Sequence, residues 1–490
     1  MQRYVIAIDQ STSASKGFLL DSRGGIVRRC LKPHRQDYPK PGYVEHDAEE
    51  IWQNVRECVA EMASGLEPAQ IAAIGLSNQR ETTVLWDRAT GMPLCPAVVW
   101  QDVRGEALCA ALSDHAAAVT EKTGLTLSAY YPAAKAAAVF QERPELSRLA
   151  HEGMLCMGTV DSYLVYRLTG GRVFRTDVSN ASRTELCDIR ALRWDPALCA
   201  LFGIPIGCLP EITPSDGDFG QTACEGLPAG IPITGVMGDS HASLFGQGCL
   251  NSGMAKATFG TGSSVMMNVG PAVIPSHNGL SASVGFGYRG ATCYVLEGNV
   301  TCSADTLCWL RDGTGMVPEI EAVEPLAASV PSTEGVYLVP AFSGLGAPYF
   351  DSRARAAFIG MNRGTRRAHM VRAALESIAY QDADIIAAMR RDTGSAVSEL
   401  RVDGGPTRNH LLMQFLTDLL GCGVRLSAQG ELSALGAGYM AGLTAGLYEN
   451  LETIPARQET GTAYRPAMET AARDALLAGW RDAVNRCRTT

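Results

Sequence analysis

Hydrophobic and polar positions along the first hundred residues alternate between two periods. Tyr4-Val5-Ile6-Ala7-Ile8 is a short β-rich apolar run, and Gly17 to Leu20 resumes it after a polar stretch from Asp9 to Lys16. Two such runs about a polar connection predict a β-hairpin with a loop rich in hydroxyls. Asp47 precedes Glu50 at capping-box spacing, and Ile51, Val55, Cys58, Val59 and Met62 then recur with helical period. Ile71 to Leu76 is apolar throughout and reads as a buried strand. Thr82 to Trp86 and Pro93 to Val99 flank the turn at Gly91 as a further β pair. Strands alternating with helices predict an α/β domain.

The second half restarts this grammar. Ala255 to Phe259 predicts a strand, Gly260-Thr261-Gly262-Ser263-Ser264 a polar turn, and Val265 to Asn268 the returning strand. Ala356 to Met361 follows as a strand and His369 to Met389 as a long alanine-rich helix. Leu400-Arg401-Val402 then runs into Asp403-Gly404-Gly405-Pro406 and a helix from Asn409 to Leu420. Ala133 to Ala138 is an alanine-rich patch that reads as helix. One hydroxyl- and glycine-rich hairpin turn in each half predicts two related domains, 1–246 and 247–490, facing each other across a cleft. A chain of 490 residues exceeds a single hydrophobic core, which supports the same division.

Composition narrows the classes. Apolar residues make up 46% and charged residues 19%, a globular balance that excludes a largely disordered protein. A net charge of −9 without a basic stripe argues against nucleic acid as the main partner. The 15 cysteines are scattered singly from Cys30 to Cys487 with no C-x-x-C pair, which predicts free thiols in a reducing cytosol. The residues from Met1 to Asp9 reach a charge before a signal-peptide core forms, and no apolar run approaches a membrane span. The expectation is a cytoplasmic protein without a membrane partner.

Five short constellations carry candidate chemistry. Asp9-Gln10-Ser11-Thr12-Ser13-Ala14-Ser15-Lys16 offers N–H groups, hydroxyls and a carboxylate at a tight turn, which is what phosphate and a metal ion need. A solvated hairpin tip would also read this way. Gly260-Thr261-Gly262 lets backbone approach a phosphate closely, or is a plain β-turn. Asp403-Gly404-Gly405 leads into a helix whose N-terminus can face a nucleotide. It lacks the Rossmann spacing, and no Walker motif occurs anywhere, which excludes a P-loop kinase. Gly238-Asp239-Ser240-His241 follows an apolar run, so Asp239 is either a general base for a hydroxyl or a helix N-cap, and His241 a structural group. Asn78-Gln79-Arg80-Glu81-Thr82 supplies donors and acceptors suited to vicinal hydroxyls, with Trp100 and Tyr130 as stacking faces. A surface ion pair and core aromatics are the alternatives there.

These elements, in this order, resemble the FGGY carbohydrate kinases, and within them the glycerol kinases, from Tyr4 to about Trp480. The resemblance is carried by Asn78-Gln79-Arg80-Glu81-Thr82-Thr83, by Thr176-Asp177 with Asn180-Ala181-Ser182-Arg183-Thr184, and by Val339-Pro340-Ala341-Phe342-Ser343-Gly344-Leu345-Gly346-Ala347-Pro348-Tyr349. Ala356 to Glu376, Arg401-Val402-Asp403-Gly404-Gly405 and Ala434-Leu435-Gly436-Ala437 complete it. It implies two actin-like, ribonuclease-H-like domains with ATP in the cleft and Mg²⁺ on Asp9. Thr12, Ser13, Ala14, Lys16, Thr261, Ala304, Cys308, Gly405 and Asn409 then correspond to nucleotide contacts. Asp239 resembles the catalytic base, and Arg80, Glu81, Trp100, Tyr130, Asp239, Ser240 and Ser264 correspond to the acceptor-binding set. A homodimer or homotetramer stays open.

The departures lie at the acceptor end. Ser240 stands where glycerol kinases place a glutamine, and Ser264 where a phenylalanine packs on the glycerol carbons. Ser11 replaces a glycine, Lys16 an arginine, and Ala304 and Cys308 a glycine and a glutamine near the adenine. Pro132-Ala133-Ala134-Lys135 replaces Ser-Gly-Thr-Lys, and Glu225 to Ile231 lacks the arginine of the family's regulatory loop. Two serines enlarge the pocket and add hydroxyls, so the expected acceptor is a polyol or ketose of four or five carbons, with glycerol as the alternative. A non-kinase ATPase of the same superfold would need only the nucleotide loops.

Overall fold

The computed structural model describes residues 2–454 and 460–489. Strand β1 (Tyr4–Gln10) and strand β2 (Ala14–Leu20) form the first hairpin, with Asp9 opposite Lys16. The turn is tighter than the polar stretch suggested. Only Ser11-Thr12-Ser13 lies outside the ladder, because the Ser11 N–H and hydroxyl both donate to the Ala14 carbonyl at 2.9 Å. Asp9 and Lys16 are therefore strand residues rather than loop residues.

β3 (Ile26–Pro33) pairs antiparallel with β2, while β4 (Ile71–Asn78) and β5 (Ile233–Gly238) extend the sheet in parallel beyond β1. Helix α1 (Ala48–Ala63) starts on Asp47, whose carboxylate accepts from the Glu49 and Glu50 N–H groups, and buries Ile51, Val55, Cys58, Val59 and Met62 against this sheet. The Thr83–Asp87 strand pairs with Val98 and Pro93 about Gly91, as the pattern requires. Helix α2 (Pro132–Glu142) holds the alanine-rich patch, and helix α3 (Asp239–Gly246) leaves the end of β5 directly.

The second sheet repeats this plan. β6 (Met254–Phe259) and β7 (Ser263–Gly270) form its hairpin, joined by β8 (Ser281–Tyr288), β9 (Ala291–Val300), β10 (Glu399–Gly404), β11 (Gly423–Ser427) and β12 (Thr460–Tyr464) in the order β8-β9-β7-β6-β10-β11-β12. The run β9-β7-β6-β10-β11 has the strand order and sense of β3-β2-β1-β4-β5. Helices α4 (Ala304–Asp312), α5 (Arg367–Thr393) and α6 (His410–Leu420) belong to this half, and residues of α5 and α6 fill its core. Helix α7 (Leu432–Thr444) instead returns to the first sheet, and helix α8 (Thr470–Cys487) closes the chain. Glycine makes that return possible: a Cβ on Gly75 of β4 would lie 2.4 Å from the Ala437 carbonyl, and one on Gly436 would lie 1.8 Å from the Ala242 carbonyl of α3. Among the described residues, no helix is long and apolar enough to cross a membrane.

Candidate active site

The ends of the strands position the chemistry. Asp9, at the end of β1, is buried, and its carboxylate accepts from the Ser77 hydroxyl at 3.0 Å. Burial raises its pKa to about 6; Lys16 opposes that rise, and the Asp239 carboxylate reinforces it. Lys16 reaches Glu431, just ahead of α7, at 2.7 Å. The hairpin tip is held from behind: the His34 ring Nε2 donates to the Thr12 carbonyl at 3.0 Å, and the His34 backbone N–H donates to Ser13 at 3.1 Å. Burial, reinforced by His46, pushes His34 down to about 4, so the ring is neutral at pH 7. Ala14, beside the tip, is buried. The Trp100 indole donates to the Thr12 hydroxyl at 3.0 Å and meets the Tyr130 ring edge-on, 5.8 Å between centroids.

Asp239 is the first residue of α3, and the N-cap position falls to Gly238, which corrects the alternative reading of Asp239 as a cap. Arg80 connects it to a buried network. The Arg80 Nε lies 3.0 Å from Asp239, while both terminal nitrogens donate to Glu297 at 2.9 Å. Glu81, at φ 59°, accepts from Arg183 at 2.6 Å, and Arg183 reaches Glu297 at 3.1 Å. A surface ion pair at Arg80-Glu81 is thereby ruled out, since both residues are enclosed. Burial works against the Glu297 charge, yet Arg80 and Arg183 hold its carboxyl well below the usual carboxylate range. Within this set Asp239 is the open member: its side chain is 37% exposed, against 7% for Arg80 and 0% for Glu297. The Ser264 hydroxyl donates to Glu297 at 3.1 Å and lies 3.4 Å from the Ser240 hydroxyl. His241 is buried and kept neutral, first by burial and then by Arg80, with one contact to Ser283 at 3.3 Å.

The second hairpin turn assembles the other predicted residues. The Ala304 N–H donates to Gly260, and the Ser303 and Asp305 N–H groups both donate to Thr261, so the start of α4 is fastened to the turn. Cys308 lies one helical turn beyond Ala304. Phe259 pairs with Gly404, which places Gly405 and its short 3₁₀ turn beside Gly260. Asn409 caps α6 by accepting the Leu412 N–H at 2.9 Å.

Sequence models of the N- and C-terminal domains of the FGGY family of carbohydrate kinases match residues 4–246 and 255–445. The chain belongs to this family. It is 47% identical over 489 residues to a glycerol kinase of Dechloromonas aromatica (strain RCB), covering 99% of this chain and 97% of that protein. The crystal structure of Plasmodium falciparum glycerol kinase with ADP superposes with a TM-score of 0.95 at 34% identity, over 99% of this chain and 98% of that one. A ligand-bound xylulose kinase from Lactobacillus acidophilus shares the fold, with a TM-score of 0.90 at 22% identity over 99% and 98% of the two chains. The protein is thus a glycerol-kinase-like carbohydrate kinase, a phosphotransferase with an alcohol acceptor on two actin-like domains.

Three buried charged residues beside these candidates, Glu297, Lys256 and Lys135, were given no role by the sequence. Glu297 had one signal, a lone carboxylate directly after the apolar run Tyr294-Val295-Leu296, which demands a partner if it is buried. Lys256 sits fully buried in β6, 3.1 Å from the Thr258 hydroxyl, and burial lowers its pKa although Asp403 and Glu297 support its charge. Lys135 is also enclosed and donates to the Tyr130 carbonyl; burial pulls it down to about 7 despite Glu81. It anchors the backbone that carries Tyr130.

Proposed function

We propose that this kinase transfers the γ-phosphoryl group of ATP to a primary hydroxyl of a small polyol or ketose longer than glycerol. The supporting observation is the pair of serines beside the open carboxylate. Ser240 and Ser264 meet at 3.4 Å where the network of Arg80 and Glu297 borders Asp239, so each of these two positions carries only a hydroxymethyl group, with the Lys256 Nζ 3.5 Å from the Ser264 hydroxyl. Asp239 takes the proton of the attacking hydroxyl, while Arg80, Glu81, Trp100 and Tyr130 orient the acceptor. Thr12, Ser13, Ala14, Lys16 and Thr261 receive the phosphates, and Ala304, Cys308, Gly405 and Asn409 border the nucleoside. The working division is a substrate and phosphate-loop domain, 1–246, and a nucleotide domain, 247–490.

Asp9 fits a Mg²⁺ ion, because its buried carboxylate stands at the end of β1 beside the phosphate-loop turn and accepts from the neutral Ser77 hydroxyl at 3.0 Å, which leaves lone pairs for a cation. No cluster of three metal-ligating side chains occurs among the described residues. That agrees with an ion held by one carboxylate, phosphate oxygens and water. When bound, Mg²⁺ neutralises charge on the transferring group.

A second reading, a true glycerol kinase making glycerol 3-phosphate, is favoured by the 47% identity to a glycerol kinase over nearly the full length. A coupled assay of ADP release over C3 to C6 polyols and ketoses separates the two. The proposed reading requires kcat/KM to be higher for a longer acceptor than for glycerol. Highest kcat/KM on glycerol would establish the second reading instead.

A further inference from the structure

A cavity of about 350 Å³ opens between the two halves, lined among others by Tyr130, Arg183, Glu297, Asn299, Thr301 and Ser343. None of the residues assigned above to the nucleotide lines it. Its position relative to Asp239 follows from strand register. Ser264 of β7 is the direct antiparallel partner of Asn299 of β9, so the two side chains project from the same face of the sheet. Glu297 is two residues from Asn299 and shares that face, which the 3.1 Å bond from the Ser264 hydroxyl reports directly. Ser240, adjoining Asp239, touches Ser264 at 3.4 Å. Asp239, Ser240, Ser264 and Asn299 therefore form a row leading from the open carboxylate toward the cavity, in which Ser240 and Ser264 contribute only hydroxymethyl groups and the Lys256 Nζ stands 3.5 Å from the Ser264 hydroxyl.

The lining also has a chemical class. Tyr130, Leu345, Ala347 and Phe350 make most of the wall apolar and present faces to C–H groups, while Asn299, Thr301 and Ser343 carry donors and acceptors for hydroxyls. Asn299 and Ser343 are exposed. The cation in the wall, Arg183, is already matched by Glu81 and Glu297. Such a wall suits a neutral polyhydroxylated chain better than a carboxylate or a phosphate. A volume near the lower end of small-molecule pockets, roughly 300–1,000 Å³, exceeds what three carbons fill.

We propose that this cavity is the distal subsite for the acceptor, that it takes the far end of an uncharged five- or six-carbon polyol or ketose, and that Asn299 and Ser343 determine chain-length specificity. The inference rests on the reading of Asp239 as the site of phosphoryl transfer. Two variants of its exposed wall test it, Ser343→Phe, which fills the cavity, and separately Asn299→Leu, which keeps the shape but removes the amide donor and acceptor, each assayed with glycerol and with C5 and C6 alditols and ketoses. Each substitution lowers kcat/KM for the longer acceptors by about 10-fold or more, the scale of a lost pocket contact, and leaves glycerol turnover within about twofold. Intact glycerol turnover shows that the variant is folded, and either variant alone is sufficient. Equal losses on short and long acceptors, or no loss on the long ones, would overturn the subsite. A wild type that phosphorylates glycerol but no longer acceptor would overturn it too, with the kinase chemistry standing. A wild type that phosphorylates no polyol or ketose would remove the underlying reading, and the subsite with it.

Discussion

Arg80 reaches three carboxylate oxygens, two on Glu297 and one on Asp239, and these contacts give the two acids different tasks. Glu297 is enclosed and fully matched by two guanidinium groups, so it fixes Arg80 and does not titrate in the working range. Asp239 keeps one side open to the cleft, where a hydroxyl can approach. Asp239→Asn should accordingly keep the fold and ATP affinity while kcat falls roughly 10²- to 10⁴-fold, the usual contribution of a general base. Steady-state kinetics with parallel ATP-binding calorimetry checks this, and near-normal kcat would remove Asp239 from the chemistry. Asp239 was a candidate in the sequence because it follows an apolar run, and the family resemblance, not the local pattern, chose the base over a helix cap. For Glu297 the local signal was only a lone carboxylate after an apolar run, and its partner Arg80 is 217 residues away, so nothing local names the pair.

At the scale of elements, the hydrophobic period located the main strands and helices, but side-chain bonding set their ends. The first turn shrank to three residues because Ser11 closes on Ala14. The return of α7 to the first sheet had no periodic signal and depends on bare backbone at Gly436. Gly436→Ala would press a methyl group against the Ala242 carbonyl, now 1.8 Å from the Cβ position, so α3 and α7 must separate. Overpacking of this kind costs about 1–3 kcal/mol or more, to be read as a lower midpoint in urea; an unchanged midpoint would show that the helices yield freely.

Asp161 gives a pH test at the same scale. It is fully buried, accepts from Thr159, Thr176 and the Asp177 N–H, and burial together with the Asp177 charge raises its pKa to about 6. A raised carboxyl pKa contributes stability below the unfolded value, near 3.9, and loses it as pH rises through about 6. Asp161→Asn should therefore raise Tm at pH 8, by an amount equivalent to at most about 3 kcal/mol, and give no such gain at pH 4. Equal shifts at both pH values would show that ionisation of Asp161 plays no part.

Only the whole molecule makes the proposed acceptor end, because Arg80, Asp239 and Ser240 come from the first sheet's half and Ser264, Glu297 and Asn299 from the second. The repeated hairpin pattern in the sequence foreshadowed two facing halves, and the motif residues named most of the walls. The cavity between them was not legible, since it depends on which faces the strands turn toward one another. If Ser240 and Ser264 set acceptor length, Ser264→Phe combined with Ser240→Gln should shift preference toward glycerol. The introduced phenyl ring would stand in the row between Asp239 and Asn299 and close the route to the cavity, while the introduced amide would give a short triol a donor and an acceptor. The Ser264 bond to Glu297 would be lost, but Arg80 and Arg183 still hold that carboxylate, so the network and the phosphoryl chemistry should persist. A methylene-sized difference in a pocket changes relative kcat/KM by roughly 10- to 200-fold, and a shift of that order from C5 acceptors to glycerol is the expected result. If the wild type already has its highest kcat/KM on glycerol among C3 to C6 acceptors, the two serines do not lengthen the site, and the protein is a glycerol kinase whose pocket tolerates them.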